Sequence, residues 1–228
     1  MGAGMMLAHF HRDEPKRILD SVEAYRGAER RFFIHGLYLP GDYAGTPEVK
    51  RRTLAALRML KRLKDPEIRA YSVEGFGEFA GFVAWRDIRQ EDEFVMQLFE
   101  EVKKLTPIEQ ESFVLGFGMS CTRYFAEPGY YDGLLQRWIP PGALPTAFRG
   151  IGMVANRVWD FHARDVAASA TPLLTKYRND VARGLAWRDE EARAKKAAEN
   201  AKPETDGAQK NGSAGKAQDP SALSSEQK

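Results

Sequence analysis

The chain of 228 residues contains one cysteine, Cys121. An internal disulfide is thereby excluded, as is any thiolate metal site that needs two or more cysteines. Net charge is scarce as well. The 34 Lys and Arg side chains stand against 32 Asp and Glu, leaving +2, so attraction to nucleic acid or acidic lipid must come from local clustering. Long apolar runs are missing: "FAGFVAW" (79–85) and "SFVLGFGMSC" (112–121) stop well short of the roughly twenty residues needed to cross a bilayer. The four histidines are His9, His11, His35 and His162, and only His162 with Asp165 has the spacing of helical metal ligands. No metal site and no cofactor is expected. The first residues, "MGAGMMLAHFHRDEPKR", carry their charges after a short apolar run, the reverse of a secretory signal, so a cytoplasmic protein is expected.

What is present points to helices. Hydrophobic residues make up 43% and aromatics 11%, enough to fill one core in a chain of this size. Thr46-Pro47, Thr106-Pro107 and Thr171-Pro172 repeat one device, a threonine that caps free backbone amides followed by a proline at the first helical position. The middle one, "TPIE", places Glu109 where a capping box requires it. Helices are predicted near 14–30, 47–64, 107–126, 146–169 and 172–198, with one helix or more over 67–104. "IRAYSV" (68–73) is the best strand candidate, and no second run of similar β-branched content offers it a partner. The expected fold class is therefore mainly α: a single multi-helix domain over 14–202, after a flexible N-terminus over 1–13. A long irregular Pro/Gly/aromatic segment is expected over 127–145. From Pro203 the composition becomes "PETDGAQKNGSAGKAQDPSALSSEQK", which cannot offset its ordering entropy by burial, and a disordered C-terminal tail over 203–228 is predicted.

Three stretches could carry function. "KRRTLAALRMLKRLK" (50–64) holds seven basic side chains and no acidic one. On a helix, Arg51, Arg58 and Arg62 form a stripe with Lys50 and Lys61 beside it, opposite Ala56, Leu57, Leu60 and Leu63. That face would suit the phosphates of nucleic acid or of an acidic membrane surface; the favoured reading is a solvated face, or one paired with the acidic "QEDEFVMQLFEE" stretch. "VEGFGEFA" (73–80) has the glycine spacing of a dinucleotide fingerprint, but no second strand ending in an acidic residue follows it. Gly77 with Gly81, and Gly116 with Ser120, read better as close helix packing. Cys121, in an apolar stretch without a protease or redox signature, reads as a buried small hydrophobe.

The third stretch, "RYFAEPGYYDGLLQRW" (123–138), gathers aromatics and charges where a binding groove would be built. Tyr124, Glu127, Tyr130, Tyr131, Arg137 and Trp138 are the candidate partner-binding residues, since Tyr, Trp and Arg dominate interface energy. The competing reading is a folded-back corner whose rings complete the core. No enzyme is implied; a protein partner is the leading expectation, with nucleic acid as the alternative. Three segments in order, "LYLPGDYAGTPE", "FEEVKKLTPIEQ" and "RYFAEPGYY", resemble parts of the small accessory subunit of gluconate 2-dehydrogenase-type membrane oxidoreductases. The helices after Pro145 have no counterpart there. The resemblance implies a helical partner of a flavin-bearing subunit, without catalytic residues of its own.

Overall fold

The computed structural model describes residues 15–37, 47–60, 63–86, 92–159 and 171–200. The expected N-terminal and C-terminal tails, Lys61 and Arg62, His9, His11 and His162 lie outside the described residues. Among the described residues nine α-helices follow one another: α1 Pro15–Ala24, α2 Gly27–Leu37, α3 Pro47–Leu60, α4 Pro66–Arg86, α5 Asp92–Val102, α6 Pro107–Met119, α7 Pro128–Trp138, α8 Leu144–Trp159 and α9 Pro172–Asn200. A short 3-10 turn, Pro141–Ala143, joins α7 to α8. No strand occurs among the described residues, and the "IRAYSV" segment lies inside α4. The protein is mainly α-helical.

Local chemistry sets the helix boundaries. Thr106 Oγ1 accepts from the Glu109 amide at 3.4 Å and Glu109 Oε2 accepts from the Thr106 amide at 2.9 Å, the reciprocal pair of a capping box. Thr171 Oγ1 likewise accepts from the Leu174 amide at 3.1 Å at the start of α9. The helix predicted over 14–30 is broken in two by Gly27, whose φ of 52° places it in the left-handed region. Asp65 Oδ1 accepts from the amides of Glu67 and Ile68 and so caps α4, a role the sequence reading gave only to threonines.

One expectation is corrected. The segment 127–145 is not a long irregular connection, because residues 128–138 form α7. Pro128 occupies the first turn, where its missing N–H costs nothing. Tyr131, Leu134, Leu135 and Trp138 then fall at i, i+3, i+4 and i+7, and all four are buried. Burial of that face outweighs the low helix propensity of Gly129 and Gly133, which both point into open space.

The centre is a row of four helices, α4, α6, α8 and α9, each packed on the next. Small residues let their backbones touch. A methyl group on Gly77 would collide with the Phe113 carbonyl, and one on Gly116 with the Glu74 carbonyl, while Gly81 lies against Ser120. The same device recurs further along the row, with Gly118 against Ala147, Gly150 against Leu115, Gly152 against Val181 and Gly184 against Arg149. The α4–α6 contact is the packing predicted from the glycine spacing; the α6–α8 and α8–α9 contacts extend it. Aromatic rings fill what remains. Phe99 meets both Phe113 and Phe117 edge-on, Phe113 stacks on Phe117 at 6.1 Å, and Phe148 stacks on Tyr177 at 5.0 Å.

Candidate functional site

The six aromatic-segment candidates divide between core and surface. Tyr124, Tyr131 and Trp138 are buried. The Tyr124 hydroxyl donates to Asp132 Oδ1 at 2.5 Å. Burial raises the Tyr124 pKa, and the Asp132 carboxylate raises it further. Tyr131 meets Trp85 edge-on at 5.3 Å, and burial pushes its phenol up to about 12. Trp138 lies 4.8 Å from Trp85 and donates its indole N–H to Asp92 Oδ1 at 2.6 Å. Glu127, Tyr130 and Arg137 remain on the exposed side of the segment. Arg137 pairs with Asp92 at 3.0 Å, so α7 is tied to the start of α5 by both a ring and a guanidinium. Cys121 is buried, and burial raises its thiol well above the ordinary range, away from nucleophilic use.

The basic helix α3 turns its leucines inward as its periodicity predicts, with Leu57 and Leu60 buried. Arg51 and Arg58 are exposed and Lys50 is half-buried. Arg58 pairs with Glu101 of α5 at 3.0 Å, and that hydrogen bond, with a second from Lys104, holds the Glu101 carboxyl down to about 2. The pairing partner lies in the acidic stretch named from the sequence.

The densest set of ionisable groups went unnoticed in the sequence. α2 and α4 bring Arg31, His35, Glu74 and Glu78 together in the interior. Glu74 and Glu78 are four residues apart and share one face of α4. Between them sits His35, with Nδ1 at 2.8 Å from Glu78 Oε2 and Nε2 at 3.0 Å from Glu74 Oε1. Arg31 donates from Nε to the same Glu74 oxygen at 2.7 Å. Its guanidinium lies 5.0 Å from the centre of the Trp187 ring of α9 and 5.9 Å from that of Tyr71. His35 is 0% exposed and Glu78 1%. Burial disfavours the imidazolium, but hydrogen bonds and charge from Glu74, then Glu78, more than offset it, and the His35 pKa is raised above the ordinary 6.5. For Glu74, burial pushes up, while Arg31 and then His35 pull down harder, leaving it below the ordinary 4.5.

A signal for this cluster was available. "VEGFGEFA" was read for its glycines, yet two glutamates four apart in an otherwise apolar helix must find buried cations. Among the described residues few cations are buried, and "FFIHGL" sets a histidine among apolar residues in the same way. As chemistry, the arrangement sets an imidazole between two carboxylates, which favours its protonated form. Among the described residues, no three His, Cys, Asp or Glu side chains converge as metal ligands would.

The surface carries a different feature, an open groove of about 380 Å³ between α5, α6 and the 3-10 turn. Its apolar side is Phe99, Val102, Val114, Pro140 and Ala143; Gln110 and Glu111 supply polar groups. Pro140, Gly142, Ala143 and Thr146, which line it, belong to the stretch following the aromatic candidates. No helix among the described residues is long and apolar enough to cross a membrane. Comparison with protein-family models, with curated proteins and with solved structures returned no match, so the accessory-subunit resemblance rests on its three short segments alone.

Proposed function

We propose that this chain is a non-catalytic, cytoplasmic helical protein that binds a partner protein, with the groove between α5, α6 and the 3-10 turn as the receiving surface. The groove itself is the observation that carries the reading. It has an apolar side, a few polar groups and a volume of about 380 Å³, room for one or two large apolar side chains of a partner segment. Glu127 just before α7 and Tyr130 and Arg137 on it are the exposed members of the aromatic segment and supply the polar and aromatic contacts such interfaces favour. A helical accessory subunit of an oxidoreductase would be one form of this function. The pairing of Arg58 with Glu101 supports a protein partner over nucleic acid, because it neutralises one of the five basic side chains that phosphates would meet.

Gly142 lines the groove, and a Cβ added there meets nothing within 4 Å, so a side chain can be introduced on the groove wall without a clash at its first atom. Gly142→Trp should abolish capture of the partner from extracts of the source cells, read by mass spectrometry of retained proteins. Gly133→Trp, on the open face of α7, serves as a bulk control and should retain capture. Equal retention by both variants would refute the groove as the receiving surface. Loss of all retained protein on nuclease treatment would transfer the function to the basic helix.

A further inference from the structure

Among the described residues, the large apolar side chains left in water are Met96 at 67% exposure, Ile108 at 71% and Tyr130. Two of these three border the groove. Met96 stands three residues before Phe99 and seven before Lys103 on α5, and Ile108 stands three before Glu111 on α6, spacings that keep each on the side of its helix that carries the lining residues. Ile108 is therefore an apolar knob beside an apolar hollow.

The hollow can take such a knob, since Phe99, Val102 and Val114 give it an apolar side and its volume is about 380 Å³. Its charges come in both signs, one from each helix: Lys103 from α5 and Glu111 from α6. Lys103 pairs with Glu100 one turn before it, both more than half exposed, and Glu111 lies 3.8 Å from Arg149. Exposed pairs of this kind hold their members weakly and leave them open to exchange of partner.

Granted the groove as the receiving surface proposed above, we infer that its occupant is a second copy of this chain, joined across a two-fold axis so that Ile108 of each copy enters the groove of the other and Lys103 of each faces Glu111 of the other. A two-fold contact must be complementary to itself, because every meeting of one position with another is repeated with the roles exchanged. A surface with only a hollow, or with charge of one sign, fails that condition. Here a knob and a hollow, and a cation and a carboxylate, stand together on two consecutive helices. The chain's net charge of +2 is small enough that two copies scarcely repel each other. Capture from extracts of the source cells would then retain the chain's own untagged copy.

Sedimentation velocity on the full chain from about 1 to about 100 μM tests the pairing, since small interfaces associate weakly and mass action shows over such a range. Wild type should pass from single chains to pairs. Lys103→Glu and Glu111→Lys each set like charges face to face at both ends of the axis, and each should raise the dissociation constant by about tenfold or more. Mixed in equal amounts, these two variants should recover the dimer, because both ends of the mixed pair again join opposite charges. Ile108→Asp and Gly142→Trp should stay single. Positions 103, 108 and 111 are exposed, so these variants should fold, and circular dichroism checks that they do. A dimer that survives Ile108→Asp or Gly142→Trp, or charge variants that neither weaken it nor recover on mixing, would overturn the proposal. Wild type that remains single at the highest concentration would overturn it too; retention of a foreign protein by wild type and not by Gly142→Trp would then leave the groove standing as a receiving surface for that other partner.

Discussion

Tyr130 and Tyr131 stand side by side at the start of α7, yet one is 40% exposed and the other 9%. Composition alone treats them alike; helical phase separates them, because only Tyr131 shares a face with Leu134, Leu135 and Trp138. Serine at 131 should therefore cost about 3 to 5 kcal/mol, the usual loss for emptying a buried aromatic site. At 130 the same change should stay within about 1 kcal/mol. Urea denaturation of the two variants checks both, and equal losses would mean that the helical phase assigned here is wrong. Tyr124 carries a more specific dependence. Its hydroxyl is the donor to Asp132 Oδ1, and both groups are buried. Tyr124→Phe leaves that carboxylate without this donor and should cost about 1 to 3 kcal/mol, although only one oxygen is removed. The candidate residues were thus legible as a set, but their roles were not. Knowing which rings face inward requires the helix, and the helix was hidden by Pro128, Gly129, Gly133, Pro140 and Pro141, whose local breaking tendencies outweighed the apolar spacing in the reading.

At the scale of elements, glycine has opposite meanings in α6 and α7. Gly116 sits where a side chain would strike the backbone of Glu74, whereas Gly133 faces open space in the middle of a helix. Gly133→Ala should stabilise by about 0.5 to 1 kcal/mol through helix propensity alone. Gly116→Ala should destabilise by about 1 to 3 kcal/mol or more, since α4 and α6 must move apart. Thermal melts of the two variants should shift in opposite directions; a shift in the same direction would deny the backbone contact between α4 and α6. The pairing of Gly77 and Gly81 with Gly116 and Ser120 could be read in advance because four-residue spacing places small residues on one helix face. The α8–α9 contact through Gly152 and Gly184 could not, since isolated glycines show a close approach only once the facing helix is known. The capping box was legible for a different reason. Thr106 and Glu109 act within one turn, so their geometry is fixed by sequence separation and needs no tertiary partner. The Arg31–His35–Glu74–Glu78 cluster is the opposite case, joining positions 43 residues apart.

For the whole molecule, buried carboxylates and the buried imidazole bound a pH window from two sides. Glu74 and Glu109 both have pKa values below the ordinary 4.5 in the fold. In Glu74, burial pushes up while Arg31 and His35 pull down; in Glu109, burial pushes up while the Thr106 amide and hydroxyl, and then Arg69, pull down. A carboxyl with a depressed folded pKa contributes stability that is present above pH 4.5 and is lost as pH falls through the folded value. His35 has the opposite sign, so its contribution is complete below 6.5 and fades above it. Maximum stability should therefore lie between pH 4.5 and 6.5, on the acid side of neutrality. The acid limb can be divided by substitution, because Glu109 has two separable duties. Glutamine at 109 can still accept the Thr106 amide and so keeps the capping box, but it no longer titrates and no longer pairs with Arg69. Glu109→Gln should therefore melt slightly below wild type at pH 6 and lose less of its Tm on going to pH 3, values on either side of the ordinary carboxyl pKa of 4.5. Differential scanning calorimetry over that range provides the comparison. An acid limb of unchanged steepness would remove Glu109 from the linkage and leave acid sensitivity to Glu74 and its cluster.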